Sequence, residues 1–139
     1  VVEDGITSIG NFAFYGMTNL TEISLADSIT SIGAYAFKND SSLENVTLPS
    51  ELTQIQDSAF YGCAKISSIV ISAKVTKIGD YAFSRCSSLK DIFFEGDAPE
   101  IAQYAFNKVT ANVTYAEDNE TWTDGNKLNY GGKLTWIAK

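Results

Sequence analysis

Cys63 and Cys86 lie 23 residues apart in a chain with no histidine to work beside them. Without histidine the usual general base and the commonest metal ligand are missing. Two cysteines cannot ligate zinc without help. Seventeen acidic residues remain, and paired carboxylates can serve as the acid and base of a glycosidase. Glu22 and Asp91 fall on one sheet face but three repeats apart, roughly 14 Å by strand spacing, which is too far for either glycosidase geometry. Asp57 and Asp80 are the acidic turn residues that would bind calcium, yet no Asp-x-Asp-x-Asp loop accompanies them, and capping of a helix start is the better reading. Nothing singles out a catalytic lysine or serine. The expectation is a chain that is not an enzyme and that carries no metal and no cofactor.

The cysteine spacing belongs to a larger pattern. Ala-Phe recurs at Ala13-Phe14, Ala36-Phe37, Ala59-Phe60, Ala82-Phe83 and Ala105-Phe106, in steps of 23. An isoleucine keeps the same period at Ile9, Ile32, Ile55, Ile78 and Ile101. Repetition this strict specifies a solenoid, whose units bury their apolar faces only against their neighbours. The coils start at Ile6, Ile29, Leu52 and Val75, with a shortened coil from 98, because Phe106 to Val113 spans fewer positions than Phe83 to Ile92. Each coil holds a Leu-x-x-Ile-x-Leu phrase (Leu20/Leu43/Ile66/Leu89, then Ile23/Val46/Ile69/Ile92, then Leu25/Leu48/Ile71/Phe94). Its last positions alternate as a half-buried strand does. Before it, Gly10, Gly33 and Gly79 precede Phe12-Ala13-Phe14, Tyr35-Ala36-Phe37 and Tyr81-Ala82-Phe83, which predicts a single α or 3₁₀ turn. The phenylalanines should stack down the core. Cys63 and Cys86 then share a column with their Cα atoms about 5 Å apart, inside the disulfide window. Stacked side chains point in parallel, which favours two reduced thiols and leaves the bridge open.

The phrase Val75-Thr76-Lys77-Ile78-Gly79-Asp80-Tyr81-Ala82-Phe83, with Cys86 and Leu89-x-x-Ile92, resembles the repeat of the BspA-like leucine-rich-repeat family of bacterial surface and secreted proteins. The resemblance covers nearly the whole chain. It implies an α/β solenoid, a right-handed leucine-rich-repeat superhelix with one parallel sheet on the concave side and short α/3₁₀ turns on the convex side. The solenoid would occupy residues 1–115, with Val1 to Gly5 closing a partial first strand. Residues 116–139 would form a capping segment, in which Trp122, Tyr130 and Trp136 are either a lid over the last core layer or an aromatic ligand platform.

Composition agrees with a one-domain repeat protein: 139 residues, 45% hydrophobic and 19% charged. A net charge of −7 argues against nucleic acid and against anionic lipid as partners. The chain opens at Val1 without an initiator Met or signal peptide and has no apolar run long enough to span a bilayer. The expectation is a mature form or a piece of a longer secreted precursor, placed outside the cell or on its surface. The five Asn-x-Ser/Thr triplets, such as Asn45-Val46-Thr47, matter only in a eukaryotic secretory pathway.

The positions free to differ lie on the solvent side of the strand phrase. They form two columns, Glu22, Asn45, Ser68 and Asp91, then Ser24, Thr47, Val70 and Phe93. This is the candidate binding face. Val70 and Phe93 make an apolar spot, and an exposed aromatic costs solubility unless it contacts something. The resemblance implies surface adhesion, with a host matrix protein or another extracellular protein or glycan as partner. Two other readings stay open. One is a spacer within a larger surface protein, and the other is a glycan-binding module accompanying an enzyme, using Trp122, Trp136 or Phe93 as stacking platforms.

Overall fold

The computed structural model describes residues 3–139. Val1 and Val2, part of the expected partial strand, lie outside the described residues, and Asp4 and Gly5 form a turn. A chain that closes every 23 residues sets each segment beside its own copy and running the same way, so every strand pairing among the described residues is parallel. One face holds β1 (Ser8–Ile9), β3 (Ser31–Ile32), β5 (Gln54–Ile55), β7 (Lys77–Ile78) and β9 (Glu100–Ile101), in that spatial order. Ile9, Ile32, Ile55, Ile78 and Ile101 are in register across it. The other face holds β2 (Glu22–Ile23), β4 (Asn45–Val46), β6 (Ser68–Ile71), β8 (Asp91–Phe94), β10 (Thr110–Tyr115) and β11 (Lys133–Ala138). Here β2 pairs with β4, and a separate four-stranded sheet runs β6-β8-β10-β11.

Two expectations are corrected. The solenoid carries parallel ladders on two faces, not one, because the isoleucine segments are themselves extended and bond to both neighbours. The turn arc contains no helix. Its amides alternate in direction: Ala36, Lys38 and Asp40 donate to carbonyls of their own coil (Gly33, Tyr35 and Phe37), whereas Tyr35, Phe37 and Asn39 donate to Asp57, Ala59 and Tyr61 of the next coil. An α or 3₁₀ turn needs all its amides aimed back along itself. The alternation flips successive peptide planes and goes with left-handed backbone at two positions in each of coils one to four, for example Tyr35 (φ 60°) and Asn39 (φ 63°), and at Lys108 alone in coil five. Asp57 and Asp80 accordingly cap no helix. Asp57 Oδ1 accepts from the Asp80 amide at 2.8 Å and Asp80 Oδ1 from the Tyr104 amide at 3.0 Å, one coil on. Close approach accounts for Gly33 and Gly79, since a Cβ on Gly79 would lie 2.5 Å from the Asp57 backbone nitrogen, whereas Gly10 in the first coil has open space around it and Gln56 and Ala102 carry side chains in the same column.

The core is made of like side chains in contact. Phe14, Phe37, Phe60, Phe83 and Phe106 stack with centroids 5.2, 5.1, 5.3 and 5.4 Å apart and rings nearly parallel. All but Phe14 are fully buried, as are Ala36, Ala59, Ala82 and Ala105 between them. A hydroxyl ladder runs beside the short strands, with Thr30, Thr53 and Thr76 each donating to the threonine carbonyl one coil earlier. In coil five Val113 pairs with Ile92, an offset of 21, and β11 then returns to 23, since Thr110 pairs with Lys133.

One core column is mixed: Met17, Asp40, Cys63, Cys86, Val109. Both cysteines are free and buried. Their thiols donate to Phe37 O at 3.1 Å and Phe60 O at 3.2 Å, and burial pushes the Cys86 thiol up to about 12. Asp40 is also fully buried. Its Oδ1 accepts from the Met17 amide at 2.7 Å, but Oδ2 has no partner. Burial raises its carboxyl from 3.8 to about 6, against a smaller opposing effect of the Met17 amide.

Two outcomes follow from this packing. Phe60→Ala should cost about 3–5 kcal/mol in chemical denaturation, as for a large aromatic removed from a rigid core; a loss under about 1 kcal/mol would place that ring outside the core. Asp40 binds its proton more tightly folded than unfolded, so it favours folding below about pH 4 and that contribution is lost as pH rises to about 6. Wild type should therefore lose up to about 3 kcal/mol relative to Asp40→Asn between those limits, and parallel pH profiles for the two proteins would contradict the assignment.

Candidate functional site

All eight residues of the candidate face are exposed. The alternation along β6 and β8 produces this directly: Ile69 and Ile71, like Ile92 and Phe94, turn inward, while Ser68, Val70, Asp91 and Phe93 turn out. Register then stacks Glu22 on Asn45, Ser68 on Asp91 and Val70 on Phe93. Val70 is 43% exposed and Phe93 38%, which confirms the apolar spot, and Thr114 of β10 continues the column beyond it.

The two columns are interrupted in the middle. Glu44 donates its amide to Thr21 O and Lys90 to Ser67 O, but no equivalent bond runs from Ser67 to Glu44, and no ladder joins β4 to β6 among the described residues. At the C-terminal end of the same pair the Ser72 hydroxyl, 3.4 Å from Leu48 O, stands where Glu95 uses its backbone amide on Ile71 O one coil later. A cleft of about 500 Å³ opens over this break, lined by Asn45, Thr47, Ser68 and Val70 together with Glu44 and Glu95. A second depression of about 480 Å³ lies over β2 and β4 and takes in Glu22 and Ser24. Six of the eight candidate residues are thus gathered around two adjoining hollows, and Asp91 and Phe93 stand outside them.

The break matters chemically because a main-chain donor or acceptor released from a ladder seeks another partner. Here such groups sit among hydroxyl, amide and carboxylate side chains over an apolar floor. Asp27, Glu44 and Glu95 give the cleft an acidic rim, relieved at one point where Lys65 lies 3.8 Å from Glu44. Sequence reasoning missed Glu44, Glu95 and the break itself. The column pattern treats coils two and three as equivalent, and no residue there marks the lost bonds.

The tail residues occupy different ground. Trp122 is 6% exposed, wedged against Phe94 at 4.8 Å, Trp136 at 5.3 Å and Tyr115 at 5.9 Å, with its indole N–H given to Gly96 O. Trp136, half-buried, donates to Leu128 O, and the Tyr130 hydroxyl donates to Asn126 O. These rings pack over the last layer of the core, and the Trp122 ring has no free face to offer a sugar.

Comparison with known proteins agrees with this architecture. Residues 3–124 match the BspA type leucine rich repeat region in six copies. No curated protein matches the chain. Among solved structures, a leucine rich repeat protein of T. pallidum superposes with a TM-score of 0.73 at 29% identity, over 81% of this chain and 55% of its own. A leucine-rich repeat protein from Bacteroides capillosus gives 0.59 at 35% identity, over 69% and 72%. The pneumococcal vaccine antigen PcpA, at 16% identity, shares the fold with a TM-score of 0.61 over 96% of this chain and 42% of its own. The chain thus spans about half the length of the T. pallidum protein. With six repeat copies across most of its length and parallel ladders in place, the chain belongs to the BspA type leucine rich repeat family.

Proposed function

We propose that this chain is a non-catalytic extracellular or cell-surface module that binds a protein ligand through its long-strand face, anchored at the cleft over β4 and β6. The observation that carries this reading is the unzipped strand pair. It is the place on the face where exposed, variable side chains, unladdered backbone and a cavity coincide. The acidic rim favours a ligand surface bearing lysine or arginine, such as a matrix or cell-surface protein. The bacterial surface character of BspA-like repeats and the fold shared with a pneumococcal antigen support the location. Of the three platforms of the glycan reading, Trp122 is buried and Phe93 is exposed.

The experiment is a binding screen of the chain against matrix proteins and a glycan panel, repeated with Asn45→Arg/Ser68→Arg. Both positions are exposed, so the variant should remain folded while losing binding by at least about tenfold. Binding of wild type should also weaken with salt, since the rim charges are solvated. A face that tolerates both arginines with every interaction intact is a spacer surface. Phe93→Ser should shift stability by no more than about 0.5 kcal/mol; a loss resembling that of Phe60→Ala would mean the ring is covered.

A further inference from the structure

The four-stranded sheet of the long-strand face ends at β11, whose one neighbour is β10. This edge strand is six residues long, whereas exposed edges in natural proteins are kept short or covered. Its ladder uses the odd-numbered amides: Lys133 donates to Val109 O at 2.8 Å and Lys139 to Tyr115 O at 3.0 Å. Alternation turns the amides and carbonyls of Leu134, Trp136 and Ala138 to the outer side. The Leu134 amide bears this out, since it donates to Asn129 Oδ1 at 3.0 Å and not to β10. The Trp136 and Ala138 amides and the Leu134 and Trp136 carbonyls have no partner among the described residues. Such a row is a template for one more strand.

The surroundings say which strand would fit. On the core side of the edge, Leu134 and Trp136 are half-buried. Leu128, whose carbonyl accepts the Trp136 indole N–H, is 50% exposed beside them. Apolar side chains at alternate positions of an added strand would cover these groups. On the solvent side, Lys133 and Lys139 are exposed at the two ends of the edge with Thr135 between them, and neither lysine forms an ion pair among the described residues. Two unpaired cations on a chain of net charge −7 favour acidic groups opposite them. They also work against a second copy. Antiparallel two-fold pairing centred on Trp136 would set Lys133 opposite Lys139 of the other copy, and like charges directly opposite repel. A parallel strand avoids that clash and continues the direction of β6, β8, β10 and β11.

We propose that the outer edge of β11 is a docking site for an extended segment of a partner protein, apolar at alternate positions and acidic at both ends, which adds as a parallel strand. Counted from the residue opposite Lys133, its third and fifth residues bond to Leu134, Trp136 and Ala138, and its terminal acids meet Lys133 and Lys139.

The test is an NMR titration and amide-exchange measurement with the peptide acetyl-Glu-Val-Thr-Val-Thr-Val-Glu-amide. Bound peptide should slow exchange of the Trp136 and Ala138 amides at least about tenfold, with little change at Thr135 and Ile137, which the β10 ladder already protects. Proline at the third and fifth peptide positions removes the needed donors and should abolish the effect. The peptide with lysine at both ends should bind at least about fivefold more weakly, and Lys133→Glu/Lys139→Glu should reverse that preference. Ala138→Pro deletes an outward amide at an edge, where proline is tolerated, and should remove the protection at Trp136; if it fails to fold, the charge-reversed variant carries the test. Asn45→Arg/Ser68→Arg should leave the protection intact, which separates this edge from the cleft over β4 and β6. Protection by the proline peptide, equal binding of the acidic and basic peptides, or protection that rises with protein concentration in the absence of peptide, as a second copy on the edge would give, would overturn the proposal.

Discussion

Every second amide of the turn arc points along the stack instead of back along its own coil, and the rest of the molecule answers to that constraint. A carbonyl must wait opposite each such amide, so the arc needs a fixed number of residues in every copy. Tyr35, Phe37 and Asn39 find Asp57, Ala59 and Tyr61, and Ser58, Phe60 and Gly62 find Asp80, Ala82 and Ser84. Left-handed backbone then recurs at fixed positions, helix formation is blocked, and coils approach closely enough that Gly33 and Gly79 have no room for a Cβ. The shortening of coil five falls between Val109 and Val113, after the arc and at the entry to a strand. There the register can shift without disturbing the alternating amides of coils one to four.

Side-chain identity follows from the same geometry. A residue whose vertical neighbours are its own copies must pack against its own shape. Parallel phenylalanine rings do this well, with planes within 4–6° of each other, and alanine leaves space for them. Thiols do it by giving their protons to carbonyls 26 residues earlier. Asp40 occupies a place suited to a thiol or a methyl group, and its raised pKa is the consequence of setting a carboxyl among them. An acid there keeps one oxygen on the Met17 amide but leaves the other unpaired in a buried site, where an unpartnered polar group is expensive.

Periodicity made the columns legible, because a 23-residue recurrence of Ile, Ala-Phe and Leu-x-x-Ile-x-Leu says which side chains share a layer. It also placed the eight exposed residues of the long-strand face correctly. The turn arc was misread for a local reason. Gly79-Asp80-Tyr81-Ala82 carries the glycine, capping acid and alanine of a helix start, and nothing in a tyrosine announces φ above zero. Asp57 and Asp80 were recognised as amide acceptors but assigned to the wrong amide, since their partners sit a full coil on. The second sheet was missed because two-residue strands such as Ser31–Ile32 are too short to show alternation. The break between β4 and β6 lies beyond sequence reading altogether, for it is a matter of backbone separation and not of residue type.

The departures from strict repetition cluster. Asp40 interrupts an apolar column in coil two, Ser58 removes a ring in coil three, and the long-strand ladder parts between those two coils. In a solenoid each unit contacts only its neighbours, so an irregularity is tolerated where the flanking coils remain well bonded, as they are here through the phenylalanine stack and the short-strand sheet. Coil three presents Ser68 and Val70 on the long-strand face, with Ile69 and Phe60 buried behind them and Ser58 buried on the turn arc. The faces of the array differ in character: an acidic cleft on the strands, exposed aromatic rings on the turns. The cleft arises where the ladder parts between β4 and β6, so this array gains its individuality there by omission, at a pairing that the coils on either side make and this one leaves out.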